Sequence, residues 1–281
     1  MNLDKRLVLP AHSHLLQTMQ ELAIQKRIVL FAGLPGVGKS LYLQQLALLA
    51  QMAGRSVHLL QWDVARLAFE REPYSCDYPE TAGSTHPIIR KAVGVWARQA
   101  VVDWANRADQ KAMLIGEVPL VGGRLIELVV SNAADSAENI LSASTTQFCI
   151  PVPSRHVRQH IEQARKRTIA TPRNSREQYD APPNVMYSTW YALNRAAVAL
   201  GLSQNDAATP AYDPSVYAAM YAHLLQHRHQ QTLHIDQLLA PSGSVYDLDN
   251  IAGELQASEV QVATIMLRAK AWDSAEIPRW Y

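Results

Sequence analysis

The sequence predicts an α/β fold, in which short apolar strands alternate with longer amphipathic helices. Apolar runs of strand length recur along the chain, and the stretches between them carry apolar residues at helical spacing. The clearest pair is "RIVLFAG" at 27–33, a buried strand, followed after a glycine-rich turn by the helical run "KSLYLQQLALLAQMAG" at 39–54. The five predicted strands are 27–33, 56–62, 112–116, 145–153 and 232–236.

The composition is that of a globular protein. Hydrophobic residues make up 48% of the 281 positions and charged residues 18%, a balance typical of folded chains. The formal net charge of +1 provides no general attraction for nucleic acid. The length suits one domain with a sizeable core, and we expect residues 1–281 to form that domain.

Cysteine usage and hydropathy predict the cellular compartment. Cys76 and Cys149 are far apart and form no CxxC pair, so neither a disulfide framework nor a zinc site is expected. The first 22 residues lack the apolar core of a signal peptide, and no apolar run approaches the roughly 20 residues that span a bilayer. We therefore expect a soluble protein of the cytoplasm that does not engage a membrane.

The stretch "GLPGVGKS" at 33–40, called here the glycine-rich loop, fits the pattern G-x-x-x-x-G-K-[ST]. Glycines allow the backbone to turn several N–H groups inwards, which creates a nest for anionic oxygens, and the following helix adds the positive end of its dipole. Lys39 has the length to reach β- and γ-phosphates, and the Ser40 hydroxyl is suited to magnesium. The alternative is a glycine-rich turn with an incidental lysine.

At these residues the chain resembles the P-loop NTPase superfamily. The resemblance implies a parallel sheet in a three-layer α/β/α fold, and binding of Mg²⁺ with ATP or GTP. The guanine motif N/T-K-x-D, the LSGGQ motif and a run of four apolar residues followed by Asp-Glu do not occur. The chain is therefore most similar to the small-kinase branch, which includes nucleotide, nucleoside and sugar kinases and zeta-toxin kinases. By this resemblance the nucleotide contacts are Gly33, Leu34, Pro35, Gly36, Val37, Gly38, Lys39, Ser40 and Leu41.

The small-kinase resemblance also implies the strand order 2-3-1-4-5 and a helical lid, here at 151–185. Acids follow two of the predicted strands: Asp63 after the second and Glu117 after the third. Ligands of open parallel sheets bind at the carboxyl ends of the strands. Phosphoryl transfer needs a residue that orients the nucleophile and takes its proton. Asp63 is our first candidate for that base, although it also suits the N-cap of the next helix.

Two arginines accompany these acids. Arg66 is a candidate clamp for the phosphoryl acceptor. By resemblance, Glu117 would hold magnesium through water or orient the acceptor, and Arg124 would bind an anionic part of the acceptor. The family usually has Asp-Gly where this chain has Gly116–Glu117. The alternative for Arg124 is a surface residue that opens a helix.

Seven of the chain's 26 lysines and arginines lie at 155–176, called here the basic segment. Small kinases carry arginines in a lid at this point of the chain, where they neutralise charge on the transferred group and exclude water. Arg155, Arg158 and Arg165 share a helical face through spacings of three and seven, so Arg155 and Arg158 are candidate catalytic residues and Arg165 a candidate phosphate contact. The alternative is a solvated basic helix.

Four further predictions concern the rest of the chain. A helix beginning near Pro87 should bury one stripe, a loop at 240–243 is a candidate contact for the nucleotide base, and another helix should begin near Leu248. The pair His223 and His227 has the i,i+4 spacing of zinc ligands, but no acid or thiol stands nearby in sequence, and we expect no metal there. The predicted stripe consists of Ile89, Val93, Trp96, Ala100 and Trp104.

Together these features predict an ATP-dependent phosphotransferase that moves the γ-phosphate of Mg-ATP to a small-molecule acceptor. A P-loop ATPase or nucleotide-dependent switch that acts on a macromolecular partner is the alternative. A protein that binds nucleotide only as a structural element is a third possibility. The sequence does not identify the acceptor or the oligomeric state.

Overall fold

A six-stranded, all-parallel sheet forms the centre of the molecule, and helices cover both of its faces. The computed structural model describes residues 3–81, 84–273, 277 and 279–281. The strands are β1 Ile28–Ala32, β2 Val57–Gln61, β3 Met113–Val118, β4 Thr146–Pro153, β5 Gln230–Ile235 and β6 Ile251–Glu254. Their order in the sheet is β5-β4-β1-β3-β2-β6, so the predicted order 2-3-1-4-5 is confirmed and the predicted count of five is wrong.

The sixth strand lies where a helix was predicted to begin. β6 pairs with the edge of β2, with a register irregularity between Val57 and His58. Its four residues are too few to produce a clear apolar period, which is why the pattern did not reveal them. The helix begins later, at Glu259, where Ser258 and Gln261 form a capping box.

The α-helices of the described residues are α1 His14–Gln25, α2 Lys39–Met52, α3 Trp62–Ala65, α4 Tyr74–Asp77, α5 Pro87–Arg107, α6 Ser136–Leu141, α7 Arg155–Ala170, α8 Pro183–Ala199, α9 Pro214–Leu224 and α10 Glu259–Ala269. The longer helices form two layers. Val29 and Phe31 of β1 point to the face covered by α1 and α2, whereas Ile28 and Leu30 point to the face covered by α5, α8, α9 and α10. Every helix in the described part of the chain is too short or too polar to span a bilayer.

The long helix α5 confirms its predicted stripe. All five stripe residues are buried, so both tryptophans in the stripe belong to the core. His86 caps the helix by accepting a hydrogen bond from the Ile88 amide, and Pro87 occupies its first position.

Residues 151–185, the predicted lid, include parts of two elements that belong to the core. Residues 151–153 complete β4, and α8 already begins at Pro183 and continues into the core. Between these elements lie α7 and a short 3-10 helix, Ser175–Tyr179. The basic segment is thus one helix and a turn that follow the carboxyl end of β4.

Candidate functional site

The glycine-rich loop joins the end of β1 to the start of α2. The Gly33 amide donates to the carbonyl oxygen of Val118 at 3.2 Å, which fixes the start of the loop against the end of β3. Gly36 and Gly38 have φ values of 75° and 91°, in the left-handed region that favours glycine. Within the described residues, no protein group accepts a hydrogen bond from the amides of Gly38, Lys39 or Ser40. Such a helix start is suited to an anion.

Lys39 places a cation inside this loop. Its side chain is buried, and Nζ donates to the carbonyl oxygen of Leu34 at 3.0 Å. Burial lowers the pKa of Lys39, while the nearby carboxylates of Glu117 and Asp63 act in the opposite direction. The ammonium group therefore lies among acids that favour its charged form.

Glu117 stands next to Ser40, although 77 positions separate them in sequence. Its Oε2 accepts from Ser40 Oγ at 3.3 Å, and its Oε1 accepts from Gln61 Nε2 at 3.1 Å. Burial raises the pKa of Glu117, Asp63 raises it further, and Lys39 and the two hydrogen bonds oppose the shift. A hydroxyl and a carboxylate are oxygen ligands of the kind that magnesium prefers. The described residues contain no group of three or more His, Cys, Asp or Glu side chains able to hold a metal.

Asp63 and Arg66 lie just beyond β2. The N-cap of α3 is Gln61, which has extended backbone angles, so the alternative role of Asp63 as a cap is wrong. The Asp63 side chain is 69% exposed and its Oδ1 lies 3.4 Å from Arg66 Nε. Arg66 also pairs with Glu70, whose Oε1 accepts from Thr85. The charge of Arg66 is thus balanced by two carboxylates.

The three arginines predicted on one face of α7 have different surroundings. Arg158 is buried and donates to the carbonyl oxygen of Pro35 at 2.5 Å and to Glu162 at 2.7 Å. Arg165 forms an ion pair with Asp180. Arg155 is 64% exposed and pairs with Asp213 at 2.6 Å.

A cavity of about 1900 Å³ opens at the carboxyl ends of the strands. The glycine-rich loop, the acids after β2 and β3, the basic segment and the loop after β5 all contribute to its walls. Arg155 and Arg158 do not line it, and neither do Gly33 and Leu34. The predicted site residues that line it are Pro35, Gly36, Val37, Gly38, Lys39, Ser40, Leu41, Asp63, Arg66, Glu117, Arg124 and Arg165.

The sequence predictions missed several residues of this cavity. Arg176 joins two strands, because it donates to Gln61 Oε1 and to Glu254 Oε2, both at 2.9 Å. It belongs to the basic segment but lies beyond α7, outside the helical face that was considered. Arg90 also lines the cavity and lies in the first turn of α5. The sequence predictions for this helix considered only its apolar stripe.

The 240–243 loop, which is the candidate contact for the nucleotide base, and the histidine pair lie in different parts of the structure. Ala240, Pro241 and Gly243 of the 240–243 loop line the cavity. His223 lies in the last turn of α9, and among the described residues it joins no metal-binding cluster.

Comparisons with protein-family models, with curated proteins and with solved structures found no match to this chain. Its function therefore has to be inferred from the chemistry of the site.

Proposed function

We propose that this protein is a P-loop kinase, which binds Mg²⁺ with ATP or GTP on the glycine-rich loop and transfers the γ-phosphate to a small-molecule acceptor. One observation carries the proposal. A single cavity brings together Lys39, the Ser40–Glu117 pair, Asp63 and Arg165. Phosphoryl transfer needs a phosphate cradle, an oxygen site for the metal, an orienting acid and a cation for the transferred group, and these side chains offer one of each.

The donor would lie on the start of α2. The open amides of Gly38, Lys39 and Ser40 would donate to phosphate oxygens, and Lys39 Nζ would exchange the Leu34 carbonyl for a phosphate oxygen. Ser40 and Glu117 have the hydroxyl and carboxylate oxygens to hold Mg²⁺, which would neutralise charge on the β- and γ-phosphates.

The two acids would then have separate roles. Glu117 already accepts hydrogen bonds from Ser40 and Gln61, which suits it to the metal, whereas Asp63 is exposed in the cavity and suits the acceptor. An acceptor hydroxyl would attack the γ-phosphorus and lose its proton to Asp63. The bond to the β–γ bridging oxygen would break, and the nucleoside diphosphate would leave with that electron pair. Arg165 would neutralise charge on the transferred group.

The size of the cavity favours a transferase over a switch or simple ATPase. Sites for one small molecule usually occupy roughly 300–1,000 Å³. The cavity, at about 1900 Å³, has room for a second molecule beside a nucleotide. The alternative remains an ATPase or switch whose partner is a macromolecule.

The test is ADP release from Mg-ATP, with and without fractions of a metabolite extract. For a kinase, one fraction raises the rate many-fold, and Lys39→Ala abolishes it because the phosphates lose their buried cation. Lys111→Ala is the matched control, since Lys111 is exposed and away from the cavity. Turnover that needs Lys39 but is the same with every fraction would favour the ATPase or switch. Absence of turnover would leave a structural nucleotide site.

A further inference from the structure

Two arginines from distant parts of the chain face each other at one wall of the cavity. Arg90 comes from the first turn of α5, and Arg124 from the loop after β3. The Nη1 atoms of both lie within 3.1 Å of the position that a Cβ atom on Gly122 would take. Gly122 has a φ of 73°, so the backbone and the space beside it both favour glycine. The close approach of the two guanidinium groups therefore depends on a residue without a side chain.

The hydrogen-bond partners of this pair are all neutral. Arg90 Nη1 donates to the Gly122 carbonyl oxygen at 2.5 Å. Arg124 Nη1 donates to the Val121 carbonyl oxygen at 3.0 Å, and its Nη2 to Ser84 Oγ at 2.7 Å. Within the described part of the chain, no carboxylate forms an ion pair with either arginine, and the buried Nε of Arg90 has no hydrogen-bond partner.

Among the other arginines that line the cavity, Arg167 and Arg173 are exposed to solvent, whereas Arg66, Arg165 and Arg176 form ion pairs. Arg66 has Asp63 and Glu70, Arg165 has Asp180, and Arg176 has Glu254. The pair at Gly122 thus combines two like charges without the counter-charge that these neighbours have.

The electrostatic cost of this arrangement is visible in both side chains. Burial, and then the charge of Arg124, lowers the pKa of Arg90 to about 10. Burial also lowers the pKa of Arg124, with Arg66 adding to the shift and Asp63 opposing it. A bound anion would offset the repulsion, and guanidinium groups fit the oxygens of phosphate and carboxylate in forked geometry.

We propose that Arg90 and Arg124 form a second anion site in the cavity, which holds a phosphate or carboxylate group of the acceptor. The inference rests on the proposed transferase function and narrows its substrate class. The acceptor would be an anionic small molecule, such as a phosphorylated or carboxylated metabolite, rather than a neutral sugar or nucleoside. Asp63 lies close enough to influence Arg124, so the anion site and the proposed base are on the same side of the cavity.

The test is calorimetric titration of inorganic phosphate, and separately of acetate, into protein loaded with the magnesium complex of a non-hydrolysable ATP analogue. The analogue occupies the glycine-rich loop up to the position of the γ-phosphate, so further binding reports a second site. We expect one phosphate or acetate to bind the wild type, and the tighter of the two to indicate the natural group. Arg124→Gln and Arg90→Gln should each weaken binding at least tenfold. Arg124→Lys keeps the positive charge but lacks the forked guanidinium group. Its affinity for the anion should lie between that of the glutamine variants and that of the wild type.

Three controls separate this site from the donor site. Arg71→Gln removes an exposed arginine outside the cavity, and it should change neither the affinity for the anion nor the affinity for Mg-ADP. Arg124→Gln should keep wild-type affinity for Mg-ADP, which also shows that the variant is folded. Lys39→Ala should lose Mg-ADP but still bind phosphate at Arg90 and Arg124.

The outcomes are distinguishable. If both glutamine variants bind the two anions as the wild type does, the anion site is overturned, while Lys39-dependent nucleotide binding keeps the proposed kinase. If phosphate binding needs Arg124 but nucleotide binding does not need Lys39, the anion site stands and its role in a kinase fails. Phosphate could instead bind only to the nucleotide-free protein, and only when Lys39 is present. It would then occupy the glycine-rich loop, and the second site would be overturned.

Discussion

Two regions of the molecule differ in how their charges are balanced. In the first, the basic segment, four of the arginines pair with carboxylates of their own helix or of nearby elements, while Lys166, Arg167 and Arg173 are exposed to solvent. Its ion pairs are Arg155–Asp213, Arg158–Glu162, Arg165–Asp180 and Arg176–Glu254. The segment is rich in positive charge along the sequence, but much of that charge is neutralised in space.

The second region consists of the start of α5 and residues 119–128. It contains only a few charged groups, and three of them lack a counter-charge at ion-pair distance among the described residues: Arg90, Arg124 and Glu127. Glu127 reaches into the space left by Gly94 of α5, where an added Cβ would overlap its Oε2. The comparison teaches that unbalanced charge, rather than charge density along the chain, indicates where a ligand would be bound.

The largest expected effect concerns Glu127. Its Oε2 is buried without a hydrogen-bond partner among the described residues, and burial raises its pKa from the ordinary 4.5 to about 8. The folded state therefore holds a proton that the unfolded chain releases. The free energy of unfolding should fall as pH rises from about 4.5 to about 8, by up to about 5 kcal/mol. Glu127→Gln keeps the shape without the charge and should remove most of that slope.

Urea unfolding at a series of pH values between 4.5 and 8.5 measures this slope. Glu21→Gln is the control, because Glu21 is exposed on α1. If the free energy of unfolding depends on pH in the same way in the wild type and in Glu127→Gln, the charge of Glu127 is balanced within the folded protein. That result would weaken the contrast between the two regions.

A smaller effect is expected when a paired arginine loses its partner. Asp180 pairs with Arg165 and also accepts from the Tyr246 hydroxyl at 2.5 Å, and its side chain is 11% exposed. Asp180→Asn should lower the free energy of unfolding by about 1–3 kcal/mol, since it leaves a half-buried guanidinium without a counter-charge. The same variant should bind an additional phosphate. Urea unfolding and phosphate titration measure the two effects.

Asp236→Asn is the control for that variant, because Asp236 is exposed after β5. Unchanged stability and unchanged phosphate binding in Asp180→Asn would mean that pairing does not determine anion affinity in this cavity.

The converse experiment gives the unpaired region a carboxylate. Ser84 Oγ accepts from Arg124, so Ser84→Asp places an acid beside that guanidinium. Phosphate affinity should fall about tenfold, which corresponds to about 1.4 kcal/mol. Ser215→Asp adds the same charge on α9 outside the cavity and should leave the affinity unchanged. Equal losses in both variants would point to net charge rather than to the arginine pair.

The smallest effect is expected at Arg155. Its ion pair with Asp213 is exposed, and such pairs contribute roughly 0–1 kcal/mol. Arg155→Gln should lower the free energy of unfolding by less than about 0.5 kcal/mol and leave ADP formation unchanged. A large loss of turnover in this variant would restore Arg155 as a catalytic candidate. It would also contradict the inference that ion-paired arginines of the basic segment are less suited to bind a ligand than the unpaired ones.

The fold was predictable where the signal is local. Strands buried on both faces are mostly apolar runs, which is why β1 to β4 were found. The strand β5 is a partly exposed edge strand and was predicted only from position 232 onwards, and β6, which is shorter and lies at the other edge, was missed. Glycines, Lys39 and Ser40 occupy adjacent positions, and their pattern predicts a phosphate cradle that still awaits a binding experiment.

The site was less predictable where it depends on contacts between distant residues. The spacing of residues on α7 gives the shared face of the arginines and the i,i+4 partner Glu162 of Arg158, but it does not reveal that Asp213 and Asp180 pair with Arg155 and Arg165. Arg90 and Arg124 meet only because α5 packs beside the loop after β3, a relation that no local pattern contains. Counter-charges from other elements are supplied by the tertiary fold, and sequence spacing alone does not give them.

The place of β6 has a consequence for how the chain is synthesised. Val57 of β2 pairs with Ile251 of β6, so this edge of the sheet cannot close until the ribosome has passed residue 251, almost 200 positions after β2. Until then β2 is an edge strand whose open amides and carbonyls are available to other chains. A chain that stops before 251 therefore presents a strand edge that β6 would otherwise cover, and translation arrested at that point would release a product prone to association.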